Sequence, residues 1–256
     1  MGERAIAIIQ VRLGSTRLPG KALADLAGRP LLAHVAERAA AIPGIAGAVL
    51  ATTVSRTDDP VVAFARDHGI GCVRGSEEDV LDRFLLAARE TKAEAIVRVT
   101  ADCPLLDPAV SGRVLEEYMR RRPGVDYVSN VHPPTYPDGL DTEVVSVEAL
   151  GTAAREACLA SDREHVTPYV WGRPERFRTA NVGHAEDLSG HRWTVDTAAD
   201  LEFVRAVFKA LGPAASRAGM TEVLKVLAEH PALREINTGL HRNEGYERSL
   251  AAERRV

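Results

Sequence analysis

Through the first half of the chain, short unbroken apolar runs alternate with stretches where apolar side chains recur every three or four positions. The runs at 5–10 (AIAIIQ), 48–53, 71–73 and 95–100 (AIVRVT) predict strands, and the periodic stretches at 31–41, 59–68, 78–91 and 108–122 predict helices. Strands with no polar face belong in a parallel sheet covered on both sides. Their alternation with helices predicts right-handed crossovers and an open, doubly wound, mostly parallel α/β sheet of Rossmann-like type. Ligands of such sheets bind at the carboxyl ends of the strands, so the loops after Gln10, Thr53, Val73 and Thr100 are where a site is expected.

From Gly124 the pattern changes. It predicts strands at 125–129, 142–147, 176–182 and 191–195, a Pro-rich loop at 130–139, and two helical stretches ending near Trp171. Helices are predicted at 200–211 and 221–228, and the charged stretch from His241 is expected to be mobile or to lie on a partner. The organisation expected is one domain over 1–240, an insertion at 130–185 serving the acceptor and a dimer partner, and a charged tail at 241–256.

Composition narrows the class. Of the 256 residues 45% are hydrophobic and 27% charged, which excludes a disordered or fibrous chain. The net charge of −4 argues against nucleic acid as a partner but leaves small polyanions open, because a few local cations bind them. Three irregularly spaced cysteines, Cys72, Cys103 and Cys158, suggest reduced thiols and a cytoplasmic protein. The apolar stretch at 39–54 is broken by Pro43, Gly44 and Gly47, so neither a membrane span nor a targeting segment is expected.

The loop after the first strand, QVRLGSTRLPGK (10–21), carries Gly14, Ser15 and the cations Arg12, Arg17 and Lys21. Its backbone N–H groups suit phosphate oxygens and its cations suit their charge. It is not a Walker A loop: five residues separate Gly14 from Gly20, and Ala22 stands where a hydroxyl would bind magnesium. GxGxxG is also missing, which argues against NAD. A basic surface loop is the plainer alternative.

Asp102 follows the fourth strand and Asp196 a later one, and Mg²⁺ takes one or two protein carboxylates, leaving its other positions to phosphate and water. Helix capping is the alternative for both, and Asp107 before Pro108 reads as a cap. Arg74, Gly75 and Ser76 after the third strand suit a pyrimidine edge, although Ser76 with Asp79 also reads as a capping pair. Tyr136, Asp138, Asp141 and Glu143 crowd the Pro-rich segment, with Asp141 and Glu143 expected on one strand face. Arg163, Glu164 and His165 form a second polar cluster, where His165 is either a substrate contact or a structural hydrogen-bonder. His34, His132, His184, His191 and His241 lack zinc-ligand spacing, and Cys103 has no histidine partner and reads as filler.

The runs IIQVRLGSTRLPGKAL and LAGRPLLAHV closely resemble the opening of the CMP-sugar synthetase superfamily. The resemblance continues through RVTADCPLLDP (98–108), DYVSN…YPDGLDTEV (126–144), REHVTPYVW (163–171) and RWTVDTAADLEFV (192–204). That superfamily holds the acylneuraminate and Kdo cytidylyltransferases, and this chain is most similar to its spore-coat polysaccharide SpsF-like branch. The resemblance implies a GT-A-like fold, CTP as donor, Mg²⁺ as cofactor on Asp102 and Asp196, and a homodimer. The reaction expected is transfer of CMP to a sugar-type, phosphorylated or phosphonate acceptor with release of pyrophosphate, in cell-surface glycan or related biosynthesis. Arg12, Lys21, Asp102 and Asp196 are assigned to catalysis, and Gly14, Ser15, Arg17, Arg74, Gly75, Ser76 and Asp79 to the nucleotide. Asn130, Tyr136, Asp138, Asp141, Glu143, Arg163 and His165 are assigned to the acceptor. The alternative is a GT-A glycosyltransferase, disfavoured because Asp102-Cys103-Pro104 stands in place of a DxD pair.

Overall fold

Ala5–Gln10 (β1) runs through the middle of a seven-stranded sheet. Its Ala5, Ala7 and Ile9 join one apolar cluster, and Ile6 and Ile8 join a second on the other face, as a strand without a polar side requires. The computed structural model describes residues 3–240 and 242–256. In it β1 is followed by a small antiparallel ribbon, β2 (Asp25–Leu26) and β3 (Arg29–Pro30), then by α1 (Leu31–Ala40), β4 (Gly47–Thr53) and α2 (Asp59–Asp67). Next come β5 (Gly71–Gly75), α3 (Val80–Glu90), β6 (Ala95–Thr100) and α4 (Pro108–Arg121).

The sheet order is β5-β4-β1-β6, then β8 (Glu143–Ser146), β7 (Tyr127–Ser129) and β9 (Thr179–Asn181). Four of the six pairings are parallel; β8 pairs antiparallel with both β6 and β7. The chain leaves β1 toward β4 on one side and returns to β6 on the other. The carboxyl ends of β1 and β6 therefore flank the switch in strand order, where such sheets bind ligands. The sequence elements cap as their residues dictate. Asp107 accepts from the Ala109 N–H (2.8 Å) ahead of Pro108, and Thr197 and Asp200 form a reciprocal capping box on α8 (Ala198–Leu211). Arg38, buried on α1, donates to the carbonyls of Leu106, Ala218 and Ala215 at 2.7–2.9 Å, tying early and late parts of the chain together.

The structure departs from the sequence pattern in four places. The segment 191–195 is no strand, because its bonds go to unconnected partners: Asp138 N–H to the His191 carbonyl (2.9 Å), Trp193 N–H to the Asp138 carbonyl (2.7 Å) and Val195 N–H to the Asp102 carbonyl (2.8 Å). The strand expected at 176–182 shortens to β9. Three helices rather than two lead to Trp171: α5 (Val147–Glu156), α6 (Ala160–His165) and α7 (Pro168–Trp171). After α9 (Met220–Glu229), the charged stretch expected to be mobile or to lie on a partner folds back as α10 (Glu244–Ala251) against α6 of its own chain; His241 lies outside the described residues. Among the described residues no helix is long and apolar enough to cross a membrane.

Candidate active site

The loop after β1 is tied to the neighbouring strand end. Leu13 N–H donates to Asp58 (2.8 Å), whose other oxygen takes the Thr53 hydroxyl, and Gly20 N–H returns to the Leu13 carbonyl (3.0 Å). Gly20 takes φ +72°, a left-handed conformation that starts the 3-10 turn at 21–23. That turn carries Lys21 inward. Its Nζ donates to Asp102 Oδ2 and Asp196 Oδ1, each at 2.8 Å, and to the Val195 carbonyl at 2.9 Å. Asp102 and Asp196 thus meet, though not from adjacent strands: the non-strand segment 191–195 is spliced to the end of β6 by the Val195–Asp102 backbone bond.

Three oxygens from hard donors, on Asp102, Asp196 and Val195, surround the Lys21 ammonium here, a donor set that would suit a divalent cation. Burial would raise the Asp102 carboxyl, but Lys21 outweighs it and holds the group down at about 2. Burial likewise opposes the charge on Lys21, and the two aspartates more than offset it, lifting the ammonium above the ordinary lysine value. Asp196 also pairs with Arg17 (3.0 Å) and Arg192 (3.1 Å). Arg192 is a half-buried hub that binds Asp200 (2.9 Å) and Asp138 (3.1 Å) as well. A cavity of about 530 Å³ opens over this group, lined by Arg12, Ser15, Arg17, Lys21, Asp102 and Asp196 among others. Gly14 lies in the same loop but does not line the cavity; a Cβ there would meet Glu77 Oε1 at 3.9 Å.

A second lobe of about 440 Å³ shares Asp102, Asp196 and Arg17, and reaches Asp138, Asp141, Glu143 and His165. β8 begins at Glu143, so Asp141 lies just before the strand, yet both carboxylates face this lobe. Glu143 sits opposite Arg98 in the β6–β8 register and pairs with it; Tyr127 (2.7 Å) and Thr167 (2.5 Å) donate hydroxyls to its other oxygen. Burial would raise the Glu143 carboxyl, and Arg98 with these hydroxyls keeps it low. Asp141 pairs with Arg242, yet burial still lifts its carboxyl. Burial and the neighbouring Asp141 push Asp138 up to about 7. His165 is depressed to about 4 by burial and Arg98, so its ring is neutral at pH 7, and it is hydrogen-bonded to Ser249 (2.9 Å).

Several residues assigned from sequence stand elsewhere. Arg74 is spent on the Thr53 and Ser55 carbonyls (2.8 Å each) and on Asp59, which corrects its placement on a pyrimidine edge. Ser76 accepts from the Asp79 N–H (3.0 Å) and Asp79 from the Asp82 N–H (2.9 Å), the capping alternative. Gly75 packs against Arg83. Arg163 belongs with this group rather than with the acceptor cluster: it pairs with Asp79 (2.7 Å) and donates to the Ala157 carbonyl (2.8 Å). Asn130 is buried and clasps its own loop through the Leu140 carbonyl and the Thr142 N–H (2.8 Å each). Tyr136 is buried with Arg113 over its ring; neither Tyr136 nor Asn130 lines the cavity. Cys103 keeps its proton, since burial and Asp102 raise its thiol far above the ordinary value, in keeping with filler. Arg98 and Arg192 were missed. A lone cation inside the apolar run AIVRVT was the available signal for the first, and a place at the head of the run RWTVDTAADLEFV for the second.

A family model described as cytidylyltransferase matches residues 6–229. The spore coat polysaccharide biosynthesis protein SpsF of Bacillus subtilis is 33% identical over 212 residues, covering 80% of this chain and 86% of that protein. An uncharacterized protein of Methanocaldococcus jannaschii is 31% identical over 239 residues, covering 93% and 96%. The solved structure of a cytidylyltransferase from Leptospira borgpetersenii superposes with a TM-score of 0.87 at 27% identity, covering 93% of this chain and all of that one. A strand-end site with paired carboxylates, a cation-bearing first loop and a match along nearly the whole chain lead to one conclusion: the chain belongs to the cytidylyltransferase family and is a CTP-dependent nucleotidyltransferase.

Proposed function

We propose that the protein transfers CMP from CTP to a sugar-type or anionic acceptor and releases pyrophosphate, in the synthesis of a cell-surface polysaccharide or related product. The observation that carries this reading is the convergence of Asp102, Asp196 and Lys21 beneath a loop that also presents Arg12 and Arg17. SpsF's assignment to spore coat polysaccharide supports the choice of pathway.

Asp102 and Asp196 would hold Mg²⁺, which neutralises triphosphate charge and polarises the α-phosphate when bound. The residues of the chain do the rest by positioning. Arg12 and Lys21 hold the β- and γ-phosphates, and Arg192 keeps Asp196 aimed into the cavity. An acceptor oxygen in the second lobe attacks the α-phosphorus as the bond to the β-phosphate oxygen breaks. A phosphate or phosphonate acceptor arrives already ionised; a hydroxyl acceptor needs a proton acceptor, and Asp138, with its carboxyl at about 7, lines that lobe. We further place the enzyme in the cytoplasm, where CTP and free thiols coexist, as a homodimer to be measured by sedimentation.

The test is pyrophosphate release from CTP and Mg²⁺ against a panel of Kdo-like acids, nonulosonic acids, sugar phosphates and phosphonates. Lys21→Ala and Asp102→Ala are each expected to cut turnover at least 100-fold in folded protein. Wild-type rates in both variants, or nucleoside diphosphate as the product, would overturn the reading.

A further inference from the structure

The family match ends at residue 229, and α10 lies beyond it. This helix is nonetheless built into the wall of the nucleotide cavity, to which it contributes Gly245, Arg248, Ser249 and Ala252. It is held there at both ends. Ser249 Oγ contacts Glu164 (2.8 Å) and His165 (2.9 Å), Tyr246 packs edge-on against His165, and Glu244 pairs with Arg17 (2.8 Å). Beyond the helix, the Arg254 carbonyl accepts from the Ala160 N–H and the Val256 N–H donates to the Cys158 carbonyl (2.9 Å each).

The charges around the cavity are unevenly matched. Lys21 and Arg17 are ion-paired with Asp102, Asp196 and Glu244. Arg12 on the loop and Arg248 on α10 line the same cavity, are exposed, and make no ion pair among the described residues; the Arg248 Nε donates only to the Glu244 carbonyl within its own helix (3.1 Å). Against these two guanidiniums the same wall carries one further carboxylate, Glu164, so the lining keeps an excess of positive charge that suits a polyanion lying between Arg12 and Arg248. Meanwhile the Glu244 carboxylate occupies a guanidinium that a phosphate oxygen would equally satisfy.

We infer that the C-terminal helix is part of the polyphosphate site, Arg248 supplying a guanidinium to the β- and γ-phosphates while Glu244 occupies Arg17 until the polyphosphate replaces it. The inference rests on CTP being the nucleotide. By linkage, docking of Glu244 on Arg17 and binding of polyphosphate oppose each other, so weakening one strengthens the other. Because Arg248 is exposed and partly bonded only within its helix, its replacement leaves the fold intact.

Calorimetric titration of the full chain with CTP, inorganic tripolyphosphate and CMP tests this, using Arg248→Ala, Arg248→Lys and Glu244→Gln. Arg248→Ala is expected to weaken CTP and tripolyphosphate about tenfold and to leave CMP unchanged, with Arg248→Lys intermediate. Glu244→Gln is expected to tighten both polyphosphates severalfold. Equal CTP affinity in wild type and Arg248→Ala overturns the inference while the cytidylyl reading stands; equal or weaker affinity in Glu244→Gln overturns the role of Glu244. Absence of CTP binding by the wild type overturns both the inference and the reading beneath it.

Discussion

Among the described residues Lys21, Arg17 and Arg192 gather on Asp196, and Lys21 also reaches Asp102. Two part-buried carboxylates turned toward one point repel each other unless a positive charge lies between them. Lys21 supplies that charge; on the proposed reading, a divalent ion held by the two aspartates would displace or share it. Lys21→Met is therefore expected to lower the melting temperature without metal and to enlarge the stabilisation by millimolar Mg²⁺, as the ion takes over the vacated role. Thermal unfolding with and without Mg²⁺ checks this; an Mg²⁺ shift no larger than that of the wild type would show that the two aspartates do not share one ion. The importance of Lys21 was legible from its loop. The capping alternative for Asp196 was not excluded by sequence, and the structure gives the helix-capping work to Thr197 and Asp200 instead.

At the scale of elements, the segment 191–195 decides the geometry. Its alternation, HRWTV, reads like a strand, but sequence pattern does not reveal hydrogen-bond partners. Here they come from the Asp138 loop and from the end of β6, so the segment acts as a splice that brings Asp196 to Asp102. Gly139 permits the close approach on one side. It takes φ +104°, and a Cβ there would lie 2.8 Å from the Trp193 carbonyl carbon and 2.9 Å from the Thr194 nitrogen. Gly139→Ala is expected to cost about 2 kcal/mol and to reduce turnover by displacing Asp196. Gly183→Ala, whose Cβ would meet only Thr135 Oγ1 at 3.6 Å, is the control and should stay near wild type. Urea unfolding and pyrophosphate release measure both, and matching behaviour of the two variants would refute the splice.

Across the whole molecule, one apolar cluster joins the parallel half to the later half, from Ile9 and Val35 to Phe208 and Val223, and polar anchors fix how the two meet. Arg38 is the clearest: its guanidinium is buried without a carboxylate and satisfies three backbone carbonyls from two distant regions. Burial lowers its affinity for the proton, with Asp107 partly compensating. Arg38→Met keeps the aliphatic stem and strands those carbonyls, at an expected cost of about 3 kcal/mol. In a chain of this size that corresponds to a fall in melting temperature on the order of 10 °C, with the KM for CTP unchanged below the transition. A loss of only a degree or two would mean that the carbonyls find other partners.

Local pattern sufficed for the central strands and the helices that flank them, whereas the fully buried β7 and β8 are shorter than expected. β1 and β6 carry the boundaries their apolar runs predict, and α1, α2 and α4 differ from expectation by a residue, because slipping a mainly apolar strand or helix face out of register would expose it. The chemical types at the site were equally visible, since anion-binding loops and strand-end aspartates are short-range features. Which of those residues face one another was a different matter. Arg74, Asn130 and Tyr136 carry suitable chemistry yet are consumed by nearby backbone or packing, while Arg98, Arg192 and the helix at 244–251 arrive from remote positions. Spatial convergence depends on the energy of contacts between segments separated by up to 227 residues, as for Arg17 and Glu244, and no periodicity along the chain encodes that.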